Sequence, residues 1–294
     1  MLSFAPSPAV DAVMLEARAA DFSKRSLKRE TKRAAIDLAI RCIDLTTLEG
    51  KDSPGRVRSM CAKAVQPVPG APSVAAVCVY PNMVAIAKAA VAGSTVKVAS
   101  VATAFPSGLS SLDVKLRDTE AALDAGADEI DMVINRGAFL AGDEELVFEE
   151  IAAVKRLCGD VHVKAILEAG ELGSYDAIRR ASDIALEAGA DTIKTSTGKI
   201  GVSATLPIAL AMCQSLHAFH HRTGQRRGFK AAGGIRTSKS ALAYLVLIDE
   251  VLGAAWLDPN LFRIGASSLL DDLLLQREKE RTGRYPSPDI IPKD

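Results

Sequence analysis

Four charged residues fall where buried strands would place apolar ones: Asp131 in "GADEIDMVI", Lys164 in "HVKAILEAG", Lys194 in "DTIKTSTGK" and Lys230 in "GFKAAGG". An isolated strand lysine is ordinarily an edge residue or a side chain that snorkels to solvent. Four such groups on consecutive β-prone runs instead point to chemistry. Free lysine has a pKa of roughly 10.4, so about one amine in 2,500 is neutral at pH 7. Lowering that value to about 7 requires ~4.6 kcal/mol of destabilisation of the ammonium form. Burial and a neighbouring ammonium both act in that direction. The neutral amine can attack a carbonyl, and the resulting iminium draws electrons from the adjacent carbon, so a C–C bond can form or break there through an enamine. Asp131, working through a water, suits the accompanying proton transfers.

An internal repeat aligns two of these groups. "DAGADEIDMV" (124–133) and "EAGADTIKTS" (187–196) share an acidic residue, Ala-Gly-Ala-Asp, a polar residue and Ile, after which come Asp131 and Lys194 respectively. The repeat puts both at one depth in their strands. In a (β/α)8 barrel, one interior layer takes its side chains from alternate strands.

The elements that must carry these residues are eight short β-prone runs: 39–46, 73–80, 95–103, 129–134, 162–169, 192–197, 228–235 and 261–267. Segments of helical period lie between them, including 109–126, 142–159 and 173–189, the first and last ending at a glycine suited to a C-cap. Strand then helix, eight times over, predicts an α/β protein with a (β/α)8 TIM barrel. A doubly wound open sheet is the rival, but the first strand runs into "DLTTLEGKDSPG", without a dinucleotide fingerprint. The expected organisation is an N-terminal helical extension over 1–38, a catalytic barrel over 39–278 and a polar C-terminal tail over 279–294. The extension carries a basic face of Lys24, Arg25, Lys28, Arg29, Lys32 and Arg33, interrupted by Asp21, Glu30 and Asp37. It is expected to pack on the barrel as a solvated helix.

"TSTGK" (195–199), "AAGGIRT" (231–237) and "GASS" (265–268) close strands six, seven and eight. Their backbone N–H groups and the helix starts behind them can hold an anion, as loops seven and eight of such barrels often hold phosphate. Any one glycine pair could simply make a turn. Together with Lys199 and the hydroxyls of Ser267 and Ser268, the three favour a phosphorylated substrate.

Composition narrows the alternatives. Lys+Arg and Asp+Glu each number 36, so no bulk charge invites nucleic acid or an anionic membrane. Five widely spaced cysteines (Cys42, Cys61, Cys78, Cys158, Cys213) form no C-x-x-C pair and suggest neither a disulfide framework nor zinc, consistent with a reducing cytosol. No apolar run approaches the ~18 residues of a membrane span, and the first residues lack the pattern of a signal peptide. His217, His220 and His221 in "HAFHH" have a metal-compatible spacing, but no carboxylate or cysteine accompanies them, and a solvated helix end is the expectation.

From "CIDLTTLEG" to "FRIGASSLL", through "AAVCVYPNMV", "VASVATAFPSG", "GADEIDMVINRGAFLAG", "HVKAILEAGEL", "GADTIKTSTGK" and "GFKAAGGIRT", the chain resembles the 2-deoxyribose-5-phosphate aldolase family of class I aldolases. The resemblance implies reversible cleavage of 2-deoxy-D-ribose 5-phosphate into D-glyceraldehyde 3-phosphate and acetaldehyde. It implies no metal or organic cofactor, a cytoplasmic place in deoxyribose phosphate catabolism, and a homo-oligomer, dimer or larger. It assigns the Schiff base to Lys194, pKa perturbation to Lys230 and the proton relay to Asp131, with Lys164 and Asp44 as further charged groups of the site. Phosphate contacts fall on Gly198, Lys199, Gly233, Gly234, Ser267 and Ser268, and pocket positions on Thr197 and Cys78. Ala231 stands where the family motif usually has proline. The lysines alone would equally allow another Schiff-base aldolase or a transaldolase. A phosphate-binding isomerase or an inactive barrel is the alternative from another class, and the joint presence of Lys194, Lys230 and Asp131 argues against it. Whether Tyr285 in the tail reaches the site is not set by the sequence.

Overall fold

A computed structural model describes residues 6–287, 289 and 291, with the side chain of Arg29 outside the described set. Eight parallel strands, β1 Ile43–Thr46, β2 Ala76–Val79, β3 Lys97–Ala102, β4 Glu129–Val133, β5 His162–Ile166, β6 Thr192–Lys194, β7 Gly228–Ala232 and β8 Phe262–Ala266, close in chain order into a barrel. β8 pairs with β1 through Ile43↔Ile264 and Asp44↔Gly265, so no open edge remains and the doubly wound sheet is excluded. Outward-facing residues such as Val77, Val98, Ile130, Val163, Ile193 and Phe229 are buried beneath the surrounding helices and form the main apolar core.

The first strand is shorter than expected. Residues 39–41 continue the helix Arg29–Arg41, because Ile36, Ala39 and Ile40 extend one buried stripe at helical spacing. That helix crosses the expected 38/39 boundary, and the last helix, Leu269–Thr282, likewise crosses 278/279. The helices expected over 109–126, 142–159 and 173–189 form as Leu112–Asp124, Glu144–Cys158 and Tyr175–Glu187.

The "AGAD" repeat is a register device. Gly126 and Gly189 take positive φ (96° and 98°) after their helices. In the first repeat Ala127 N–H donates to the Ala122 carbonyl and Gly126 N–H to that of Leu123; in the second Ala190 donates to Ala185 and Gly189 to Leu186. Both are Schellman closures. Each following aspartate then clamps the preceding strand: Asp128 accepts from Val98 N–H at 2.8 Å and Lys88 Nζ at 2.8 Å, and Asp191 from Val163 N–H at 3.0 Å and Lys155 Nζ at 2.6 Å. Three residues beyond each clamp come Asp131 and Lys194.

In the extension, the helix Ala12–Phe22 buries Leu15, Ala19 and Phe22 on the helices Leu206–Thr223 and Ser238–Leu252. Three residues of the expected basic face are paired locally: Arg25 meets Glu250 at 3.0 Å, Lys32 meets Glu280 at 2.8 Å and Lys24 meets Asp21 at 2.9 Å. In the tail, Lys279 Nζ donates to Tyr285 Oη at 2.6 Å, on the outer side of the last helix, and Ile291 is buried beside Val68, Pro69 and Leu274. All five cysteines are free and buried. Among the described residues no helix is long and apolar enough to cross a membrane.

Candidate active site

Strand registry brings the charged residues together inside the barrel. Asp131 lies opposite Lys164 across β4 and β5, Lys194 opposite Lys230 across β6 and β7, and Lys230 opposite Arg263 across β7 and β8. Asp131 is fully buried and takes three ammonium groups: Lys194 Nζ at 2.8 Å and Lys230 Nζ at 2.8 Å, both on Oδ2, and Lys164 Nζ at 2.7 Å on Oδ1. Lys230 also donates to Asp44 Oδ2 at 2.5 Å. Lys164 also meets Glu129 Oε2 at 2.6 Å. Gly265 makes room for this packing, since a Cβ there would stand 3.2 Å from Lys230 Cε.

The electrostatics separate Lys194 from the other lysines. Burial disfavours charge on all three. For Lys164 it is outweighed by Asp131 and Glu129, and for Lys230 by Asp131 and Asp44, so both hold their protons more tightly than an ordinary lysine. For Lys194 burial is the largest influence, Asp131 opposes it, and Lys230 reinforces it, so its proton is held less tightly than usual. Burial raises the proton affinity of Asp131, but Lys164, Lys194 and Lys230 overcome that and keep its carboxyl well below the usual range. Asp44 is also lowered, burial being outweighed by Lys230 and Arg263.

Above Lys194 opens a cavity of about 270 Å³. Thr197, Gly198, Lys199, Gly233, Gly234, Ser267 and Ser268 all line it, with Arg56 and Arg236. Gly233 has φ 83°, and a Cβ there would stand 2.4 Å from Ser203 Cβ and 3.2 Å from Gly198 Cα, so the loops after β6 and β7 pack backbone against backbone. Thr197 is fixed from below: its hydroxyl donates to Glu168 Oε2 at 2.5 Å and its N–H to Oε1 at 3.0 Å. Lys199 Nζ spans to Glu49 Oε1 at 2.8 Å. Ser268 is the N-cap residue of the helix Leu269–Thr282, so the first N–H groups of that helix face the cavity rim. Cys78 is placed differently from the other expected pocket residues. It is fully buried with Leu48, Ala99 and Val101 in the apolar half of the barrel interior, and burial raises its thiol pKa.

Several residues of this arrangement escaped the sequence reading, Arg56 and Glu49 at the cavity wall among them. Glu129 precedes Asp131 by two positions and therefore faces the same way. Arg263 is a strand charge of the same kind as the lysines. Glu168 has φ 53°, a backbone setting with no sequence signal in a glutamate. Arg236 stood within the "AAGGIRT" loop. The histidines of "HAFHH" do not converge on the site: His220 Nδ1 lies 3.2 Å from the Gln225 carbonyl and its ring packs edge-on to Trp256, while His217 and His221 are exposed.

A buried amine with weakened proton affinity, a carboxylate in contact with it and an anion-sized cradle above can together support imine chemistry on a phosphorylated carbonyl compound. Comparison with known proteins points to an aldolase. The family profile described as DeoC/LacD family aldolase matches residues 38–274. Deoxyribose-phosphate aldolase of Mus musculus is 44% identical over 283 residues, covering 92% of this chain and 89% of its own, and that of Homo sapiens is 43% identical with the same coverage. The crystal structure of a putative deoxyribose-phosphate aldolase from Coccidioides immitis superposes with a TM-score of 0.71 at 26% identity, covering 92% of this chain and 99% of that one. The tetrameric deoxyribose phosphate aldolase of Aeropyrum pernix gives 0.62 at 25% identity, covering 94% and 100%.

Proposed function

The chain belongs to the DeoC/LacD aldolase family, and from that premise we propose that it cleaves 2-deoxy-D-ribose 5-phosphate reversibly into D-glyceraldehyde 3-phosphate and acetaldehyde through a Schiff base on Lys194. The observation that carries this reading is the placement of Lys194: buried, bonded to Asp131 at 2.8 Å, and open to the cavity lined by the glycine and serine loops.

The neutral Lys194 amine adds to C1 of the open-chain substrate, and the carbinolamine loses water to give an iminium. The C3 hydroxyl then gives up its proton, the C2–C3 bond breaks, and its electron pair moves into the iminium to form an enamine. D-glyceraldehyde 3-phosphate departs. Protonation of the enamine at C2 and hydrolysis of the imine release acetaldehyde and return the amine. Asp131, held ionised by three lysines, exchanges protons with these oxygens and carbons through a water. Lys230 keeps positive charge beside Lys194 and disfavours its ammonium form. Lys164 and Asp44 hold Asp131 and Lys230 in place. N–H groups at Gly198, Gly233 and Gly234, the hydroxyls of Ser267 and Ser268, and Lys199 grip the phosphate once Lys199 leaves Glu49. This chemistry fits a cytoplasmic role in deoxyribose phosphate catabolism, and the tetrameric relative supports a homo-oligomer.

The test is incubation with 2-deoxyribose 5-phosphate while D-glyceraldehyde 3-phosphate is followed, with a larger ketose phosphate offered in parallel. Turnover of the first alone supports the assignment. Turnover of the second alone would assign a different Schiff-base aldolase or a transaldolase.

A further inference from the structure

Beneath the three lysines the barrel carries a second tier of charge. Arg263 on β8 directs one nitrogen to Asp44 Oδ1 at 2.5 Å and another to Glu129 Oε1 at 2.8 Å, and its Nε donates to the Pro259 carbonyl. Glu129 in turn reaches Lys164 at 2.6 Å. All of these side chains are buried. We propose that Arg263 and Glu129 are a charge-setting pair that positions Asp44, Lys164 and Lys230 and thereby leaves Lys194 as the one cation of the barrel interior without a carboxylate of its own. This inference rests on Lys194 being the imine-forming residue.

The count of charges carries the argument. Four cations, Lys164, Lys194, Lys230 and Arg263, face three carboxylates, Asp44, Glu129 and Asp131. One positive charge is therefore in excess, in a region where an uncompensated buried charge costs several kcal/mol. A guanidinium cannot release its proton, so the excess can leave only from a lysine. Arg263 occupies one oxygen of Asp44 and both of Glu129. Lys230 takes the other oxygen of Asp44, and Lys164 shares Glu129 and Asp131. Lys194 is left with Asp131 Oδ2 alone, at 2.8 Å, which Lys230 also occupies at the same distance. It is also the lysine that opens to the cavity, where a carbonyl can arrive.

The other titratable groups facing the pair do not alter the count. Lys97 on β3 stands 3.3 Å from Glu129, but its side chain is 42% exposed at the barrel rim and screened by solvent. His162 on β5 bonds Thr192 Oγ1 at 2.8 Å, and burial together with Lys164 lowers its pKa to about 4, so it is neutral at pH 7. The thiols of Cys42, raised to about 12 by burial, and of Cys78, also raised by burial, are neutral as well.

The experiment is the rate of borohydride trapping with acetaldehyde, measured across pH on the full chain, for the parent and three variants. Arg263→Gln leaves three cations against three carboxylates, so Lys194 keeps its proton and the acid limb moves up by about one pH unit. Glu129→Gln leaves four against two, and the limb moves down by a similar amount. Arg263→Lys retains the charge without the fork, and its limb stays with the parent. Opposite displacements support the proposal, because a purely structural pair would weaken trapping without moving the limbs apart. Displacements in one direction, or none, overturn it. Where Arg263→Gln fails to fold, a limb that moves down in Glu129→Gln and stays with the parent in Arg263→Lys supports the proposal, and a limb that is unmoved or moves up in Glu129→Gln overturns it. A parent that forms no adduct overturns the Schiff-base reading itself, and this inference falls with it.

Discussion

Lys115 and Lys194 are both buried, yet their surroundings differ in one respect. Lys115, on the helix Leu112–Asp124, meets both oxygens of Glu150 at 2.7 Å, one cation against one carboxylate between two outer helices. Lys194 shares a single carboxylate oxygen with Lys230, inside a group where cations outnumber carboxylates. The comparison teaches that burial alone does not prepare a reactive amine. A matched buried lysine is a structural tie, and an unmatched one beside a cavity is the candidate reagent.

Lys194→Arg should make the sharpest break, reducing turnover of 2-deoxyribose 5-phosphate by about four orders of magnitude or more, because a guanidinium forms no imine. Thermal unfolding should move little; retained turnover would place the nucleophile elsewhere. On the other side of the comparison, Lys115→Met strands the Glu150 carboxylate and should cost about 3–5 kcal/mol of stability in denaturant unfolding. The kcat of the folded fraction should be unchanged, and a loss of kcat would move Lys115 out of the structural class.

Much of this contrast was visible before any coordinates. The three strand lysines and Asp131 declared themselves because each breaks a short apolar run, and the repeat aligned Asp131 with Lys194. Lys115 and Glu150 did not, since each sits on a helix face where charge is ordinary and their 35-residue separation hides the pairing. The start of β1 is hidden in the sequence for a related reason: Ala39 and Ile40 suit a buried helix stripe as well as a strand, and packing against the barrel decides for the helix. Glu129 and Arg263 were legible by the same rule as the lysines. The hold of Glu168 on Thr197 was not, because it depends on a left-handed backbone at a non-glycine residue.

Smaller effects refine the account. Lys230→Leu removes the neighbouring ammonium, so the acid limb of the pH–rate profile should rise by about one unit, with a fall in kcat of about 100-fold. An unmoved limb would deny Lys230 its role. His162 gives a stability effect of known sign. Its folded pKa is depressed to about 4, against roughly 6.5 for the unfolded chain, so the unfolded state binds the extra proton and stability declines as pH falls from about 6.5 to about 4. His162→Gln should remove about 3 kcal/mol of that decline. A pH dependence of unfolding identical to the parent's would contradict it.

The central claim is that Lys194, alone among the buried lysines, is available as a free amine. Its most direct test is borohydride reduction in the presence of acetaldehyde at pH 7, followed by peptide mapping by mass spectrometry. The account predicts one reduced adduct, on the peptide that carries Lys194, with Lys115, Lys164 and Lys230 unmodified. No adduct, or an adduct on Lys230 or Lys164 in place of Lys194, would contradict it.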